Sequence, residues 1–147
     1  MDYKLLCAQL NALTEDVENE ISNLSNASAL LWQELADINW AGFYKMESGI
    51  LVLYPFQGKP ACTKIAVGKG VCGTAVAEDK TQLVPDVHQF PGHIACDCAS
   101  NSEIVVPIHV NGEIWGVLDI DSPSLSRFNV ADQVGLEEFV KILETVL

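Results

Sequence analysis

Positive charge is scarce in this chain of 147 residues: eight lysines and arginines stand against 20 aspartates and glutamates, for a net charge of −12. The few cations are scattered, with no cluster able to follow a phosphate backbone, which argues against nucleic acid as a partner. Long apolar runs are missing as well. None approaches the roughly 18 consecutive apolar residues of a membrane helix. The start, MDYKLLCAQLNALTED, has neither the basic flank nor the continuous apolar stretch of a signal peptide. A cytoplasmic location with no membrane partner is the expectation. No repeat, low-complexity tract or Gly/Ser/Pro-rich linker divides the chain. The length therefore suits one domain, residues 1–147, able to bury roughly 68–70% of its unfolded surface without staples. With 49% hydrophobic residues, disorder is excluded too.

What is present shows two periodicities. Leu6, Leu10 and Leu13 recur at helical spacing, and Val17, Ile21, Leu24, Leu31 and Leu35 form a second set after Thr14, the expected N-cap. Two helices within residues 1–36 are predicted. From Trp40 the pattern changes: WAGFYKM and ILVLYPF are rich in aromatic and β-branched residues and are separated by Glu47, Ser48 and Gly49, a hairpin signature. VGKGVCGTAVAEDK places Gly68, Gly70 and Gly73 among small residues suited to a short helix packed closely on a sheet, and residues 81–84 read as a short strand. EIVVPIHVNGEIWGVLDID predicts two long antiparallel strands about Asn111 and Gly112, a type I′ turn. Asn129 caps a last helix with Leu136, Phe139, Val140 and Leu143 in one stripe. The order predicts an α+β domain, a central antiparallel sheet flanked by helices, with sheet, pocket loop and C-terminal helix in residues 39–147.

Five cysteines are the most reactive content of the chain. An odd number in a reducing compartment points to thiols, metal ligands or catalytic groups, and makes any disulfide transient. Cys7, on the first helix, reads as a small apolar residue; Cys62 and Cys72 flank a short strand and a glycine-rich turn, and either alone reads as buried filler. Cys96 and Cys98 differ, because PGHIACDCAS is polar and irregular and feeds the strand that Glu103 opens. Such a loop can hold reactive groups at the rim of a pocket. A zinc site built from Cys62, Cys72, Cys96, Cys98 or His93, in an inert zinc-stabilised domain, is the minority reading. Structural zinc ligands usually pair as C-x₂₋₄-C, whereas the spacings here are C-x₉-C and C-x-C, so the expectation is no metal. What remains is a nucleophile with a resolving partner, which needs a thiolate, a nearby acid and a second thiol. Asp119 and Asp121, at i and i+2 of a strand, share one face with Trp115 and Val117. Two carboxylates on a mainly apolar face are costly unless they bind something; exposure at the strand's end is the other account. Trp40 reads as core, with Tyr44 on the same strand face as a second aromatic. His109 reads as a solvated strand residue, and His88 and His93 have only their loop position.

In order along the chain, NWAGFY, GKPACTKIAVGKGVCGTA, PDVHQFPGHIACD, SEIVVPI and WGVLDIDSP closely resemble the GAF-domain free methionine-(R)-sulfoxide reductases, from about Asn39 to the final helix. The resemblance implies a GAF-like fold whose small-molecule pocket is closed by the long loop. It also implies thiol-dependent reduction of free L-methionine (R)-S-oxide to L-methionine. Carried over by motif, Cys96 is the catalytic cysteine, Cys62 its resolving partner and Cys72 an auxiliary thiol. Glu103, Asp119 and Asp121 match the acids that activate the sulfoxide, and Trp40 the residue that packs on the substrate methyl group, with Tyr44 beside it. The backbone of Ile94, Ala95 and Cys96 matches the loop that receives the substrate carboxylate. Cys98 departs from the pattern by making a C-x-C; a disulfide across that spacing is strained, which keeps Cys62 as the partner and Cys98 as a further auxiliary thiol. The implied cycle uses no metal or organic cofactor, only an external dithiol, thioredoxin by implication, and is compatible with a homodimer. A non-catalytic GAF module that binds a small ligand, or senses oxidants through the same thiols, shares the fold and is the alternative.

The second hairpin makes a geometric demand on that resemblance. With a two-residue turn Val110 pairs with Glu113, and counting back places Ile104 opposite Asp119 and Ser102 opposite Asp121. Directly paired residues share a face, so Glu103 would point away from both aspartates. A bulge is therefore expected near Pro107, which has no N–H for the ladder, or near Gly116, unless Glu103 precedes regular pairing.

Overall fold

The computed structural model describes residues 1–92 and 99–147. Helices α1 (Tyr3–Thr14) and α2 (Glu20–Glu34) precede strands β1 (Trp40–Glu47), β2 (Ile50–Gly58) and β3 (Lys64–Ala66); then come α3 (Gly70–Glu78), β4 (Gln82–Val84), β5 (Ser102–Val110), β6 (Glu113–Ser122) and α4 (Val130–Glu144). The strands form one antiparallel sheet in the order β3-β2-β1-β6-β5-β4. This is the α+β architecture that the patterning predicts. Among the described residues no helix is long and apolar enough to cross a membrane.

The first two helices are divided differently from the expectation. Asn19, not Thr14, caps α2, its side chain accepting the Ser22 N–H. Thr14 is instead the last residue of α1 and turns its hydroxyl back to the Leu10 carbonyl at 3.0 Å. Val17 lies in the connection, where Asp16 takes a left-handed φ of 58° and interrupts the helical path. An acid after a threonine serves a linker as well as a first turn, and the sequence alone does not separate the two. Asn129 does cap α4, in a reciprocal capping box with Asp132.

The sheet separates two apolar clusters. On one face Ala41, Phe43, Ile104, Val106, Ile108, Leu118 and Ile120 pack against the leucines and Phe139 of α1, α2 and α4. Each large side chain fully buried there contributes roughly 1.5–3 kcal/mol, which makes this the main core. On the other face Trp40, Tyr44, Leu51, Val105 and Val117 lie beneath Val71, Cys72 and Ala75 of α3.

The β5–β6 hairpin turns at Asn111 (φ 54°) and Gly112 (φ 78°), the positive pair of a type I′ turn. Val110 faces Glu113 and His109 faces Ile114, but Ile108 faces Gly116. Trp115 is the extra residue of a bulge at the expected place. Beyond it the register moves by one, so that Val105 faces Asp119 and Glu103 faces Asp121. A side chain at position 116 would overlap the Tyr44 carbonyl oxygen and come 2.9 Å from the Lys45 Cα on β1, which only glycine avoids. The bulge also corrects the face of Trp115. Expected beside Val117, it packs on the helical side, edge-on to Tyr54 at 6.0 Å, with its Nε1 donating to Glu20 Oε1 at 2.8 Å.

Candidate active site

The site is built from rows of paired residues across three strands. Trp40 on β1 faces Asp121 on β6, which faces Glu103 on β5; in the next row Gly42 faces Asp119, which faces Val105. Because paired residues share a face, the bulge turns all three acids toward the same space as Trp40. They line a cavity of about 50 Å³ together with Tyr44, Ile65, Ser100, the N-cap Lys69 of α3 and the first turn of that helix, where Gly70, Val71 and Cys72 face it.

One wall of the cavity is aromatic. Trp40, only 2% exposed, stacks on Tyr44 at 5.8 Å and on Phe56 at 5.1 Å. Gly42 makes this possible, since any Cβ there would overlap the Phe56 side chain. The polar tips of the wall reach the link between β2 and β3: Trp40 Nε1 donates to the Lys59 carbonyl at 3.1 Å, and the Tyr44 hydroxyl donates to the Cys62 carbonyl at 3.0 Å. Cys62 is disulfide-bonded, whereas Cys7 and Cys72 are free thiols.

The electrostatics follow from burial. Glu103 is 8% exposed and Asp119 6%. Removal from water, reinforced by the charges of Asp119 and Asp121, holds the Glu103 carboxyl well above the usual carboxylate range, and its proton is shared in hydrogen bonds to both aspartates. Burial and then the same acids push the Cys72 thiol up, with its S–H donating to Asp119. Cys72 is thus held as a thiol, the poorly nucleophilic form. Its Sγ and one carboxylate oxygen each from Glu103 and Asp119 lie within 4.8 Å of one another, the donor group among the described residues that has the spacing for a metal ion. Burial, followed by Asp119, also raises Tyr44, whose hydroxyl stays a donor. Chemically the cavity offers a carboxyl group that holds its proton well above the usual carboxylate range, two further carboxyl groups and an aromatic surface.

Of the residues singled out in the sequence, Trp40, Tyr44, Cys72, Glu103, Asp119 and Asp121 come together here, with Cys62 tied to the wall through its carbonyl. His93, Ile94, Ala95, Cys96 and Cys98 lie outside the described residues. The chain on either side of them borders the site, for the Gly92 carbonyl accepts the Gly70 N–H at 3.2 Å and Ser100 lines the cavity. Cys7 packs against the main core as expected. His109 is not simply solvated. Its Nε2 lies 2.6 Å from Asp79 and its Nδ1 3.6 Å from Glu144. Phe56, Lys69 and Ser100 escaped the sequence reading: the pairing of Phe56 with Gly42 is a legible signal for the first, and nothing in the local sequence marks the other two.

A six-stranded antiparallel sheet with helices packed on one face and a small-molecule cavity on the other is the architecture of a GAF domain, and the GAF domain family matches residues 9–147. Within that class the chain belongs to the free methionine-R-sulfoxide reductase family. It is 55% identical to the free methionine-R-sulfoxide reductase of Escherichia coli over 99% of this chain and 88% of that one. The fRMsr of Staphylococcus aureus in complex with substrate is 56% identical, with a TM-score of 0.95 over 99% of this chain and 95% of that chain. The free methionine-R-sulfoxide reductase of Neisseria meningitidis, also in complex with its substrate, is 43% identical with a TM-score of 0.95, covering 98% of this chain and 87% of that chain.

Proposed function

We propose that this protein reduces free methionine (R)-sulfoxide to methionine, with Cys96 as nucleophile and Cys62 as resolving thiol. The observation that carries the reading is the bulge-dependent convergence of Glu103, Asp119 and Asp121 beneath Trp40, beside a segment whose Cys62 is disulfide-bonded. Relatives that share about half of the residues and are named for this activity support it.

A sulfoxide sulfur becomes electrophilic when its oxygen receives a proton or a strong hydrogen bond. Glu103, kept neutral by burial and by its acidic neighbours, is the donor for that oxygen. The remaining carboxyl groups share the activation and attract the substrate ammonium. Trp40, with Tyr44 beside it, packs on the methyl group, and the backbone of Ile94, Ala95 and Cys96 receives the carboxylate. Cys96 thiolate attacks sulfur, the oxygen passes to Cys96 as a sulfenic acid, and methionine leaves as the thioether. The Cys62 thiol then displaces the hydroxyl from that sulfur; an S–S bond forms and water departs. An external dithiol, for which thioredoxin is the proposed source, reduces the disulfide in the cytoplasm, where such dithiols are maintained. Cys72 and Cys98 are auxiliary to both steps, and no step uses a metal, flavin or nucleotide.

Loss of the R epimer from a racemic mixture of free methionine sulfoxide, followed by chiral chromatography with dithiothreitol as reductant, tests this. The S epimer and N-acetylated, peptide-like substrate should persist, because acetylation removes the ammonium that the carboxyl groups attract, and a pocket that closes on the carboxylate has no exit for a chain. Equal rates on free and blocked substrate would sink the proposal. Saturable binding without turnover would support the non-catalytic module instead.

A further inference from the structure

We infer that the Tyr44 hydroxyl is a positioning group for the second chemical step, holding the Cys62 segment where its thiol meets the sulfenic acid; the inference rests on the reading of Cys62 as resolving thiol. Residues 59–63 have no regular secondary structure, and Ala61 and Cys62 are only half-buried. Their described holds are three: the Trp40 indole on the Lys59 carbonyl (3.1 Å), the Tyr44 hydroxyl on the Cys62 carbonyl (3.0 Å) and the Thr63 carbonyl on the Leu53 N–H (3.0 Å). Of these three hydrogen bonds, the one from Tyr44 is made to residue 62 itself, beside the disulfide of that residue.

Tyr44 suits the role because packing holds it on every side. It is 2% exposed, stacked on Trp40, and fixed in a central strand between β2 and β6. Burial keeps the phenol protonated, so the bond persists across the working pH range. A phenylalanine would fill the same space without a hydroxyl that costs free energy to bury unpaired. Attack on methionine sulfoxide does not involve Cys62, whereas resolution requires its sulfur in line with the S–O bond that breaks. Loosening the segment lowers the effective concentration of that thiol.

The test is Tyr44→Phe in rapid-mixing single turnovers with free methionine (R)-sulfoxide, following methionine release and the lifetime of a sulfenic acid trapped with a 1,3-diketone. Resolution should slow by about tenfold more than methionine release, so that sulfenic acid accumulates. Tyr44→Leu, which removes the ring as well, should slow both steps. Independently of turnover, the Cys62 disulfide in Tyr44→Phe should sit about tenfold further toward the dithiol in a dithiothreitol redox buffer. Equal slowing of both steps in Tyr44→Phe, or an unchanged redox equilibrium, overturns the inference. If wild-type protein releases methionine without Cys62 entering a disulfide, the resolving role itself fails and takes the inference with it. If the wild type forms that disulfide and the variant forms it equally fast, the inference alone fails.

Discussion

At the scale of single residues, Glu103 links the structure to the proposed reaction. It sits among like charges out of water, so its folded-state carboxyl binds a proton more tightly than the same group in the unfolded chain. Between the ordinary carboxylate range and that raised value the folded state carries the extra proton, and stability is lost as pH rises through the interval. Glu103→Gln removes the titration. Denaturant midpoints at pH 5 and pH 8 should therefore fall more for the wild type than for the variant, and parallel losses would mean that Glu103 is not the buried proton carrier. Turnover in Glu103→Gln should fall by about 10²–10⁴, since an amide hydrogen-bonds the sulfoxide oxygen without giving it a proton. The thiols make a second prediction. Cys96→Ser should abolish methionine release, while Cys62→Ser should release about one methionine per protein, because attack precedes resolution. Normal turnover of Cys62→Ser with thioredoxin would transfer the resolving role to Cys98 or Cys72. The motifs SEIVVPI and WGVLDIDSP made Glu103, Asp119 and Asp121 legible in the sequence. The hydrogen bond from Cys72 to Asp119 was not, because it joins a helix to a strand 47 positions further along.

At the scale of elements, one bulge decides whether there is a site. Without the extra residue Trp115 in β6, Glu103 would point into the main core and the cavity would keep two acids. Pro107 and Gly116 announced the irregularity in the sequence, because one lacks a ladder donor and the other lacks a side chain. The consequence for Trp115 was harder to see, since a bulge reverses the alternation for every residue on its far side. The boundary between α1 and α2 was missed for a related reason: Thr14 and Asn19 are both competent caps, and the left-handed turn at Asp16 that chooses between them has no periodicity of its own. Gly116→Ala tests the bulge. The added methyl meets β1 backbone at Tyr44 and Lys45, which cannot rotate away, so a loss of about 2–3 kcal/mol is expected from urea unfolding. Turnover should fall as well, because the strand cannot shift without moving Asp119 and Asp121. A variant of wild-type stability would show that β6 accommodates a side chain there and that the close approach does not hold the register.

At the scale of the molecule, the sheet divides stability from chemistry. Leu6, Leu10, Leu24, Leu31, Leu136 and Phe139 close the helical face without a polar group in the reaction, while the opposite face carries buried acids, a cavity and a loosely held link. The alternation of the strands and the stripe on α4 made the helical core readable, but the sequence did not show that α3 would cover the other face, because its small residues give that short helix little amphipathic direction. A partition of this kind predicts local rather than global consequences when the disulfide opens. Among the described residues, reduction of Cys62 leaves residues 59–63 held by the backbone bond between Leu53 and Thr63 and by the tips of Trp40 and Tyr44, none of which pairs β1 with β6. Hydrogen exchange read by mass spectrometry on reduced and oxidised protein should show residues 59–73 exchanging about tenfold faster after reduction, a local opening of about 1.4 kcal/mol. Peptides from β1, β6 and α4 should exchange at the same rate in both states. Acceleration spread evenly through those peptides would mean that the disulfide supports the whole sheet, and that catalytic cycling and fold stability are coupled.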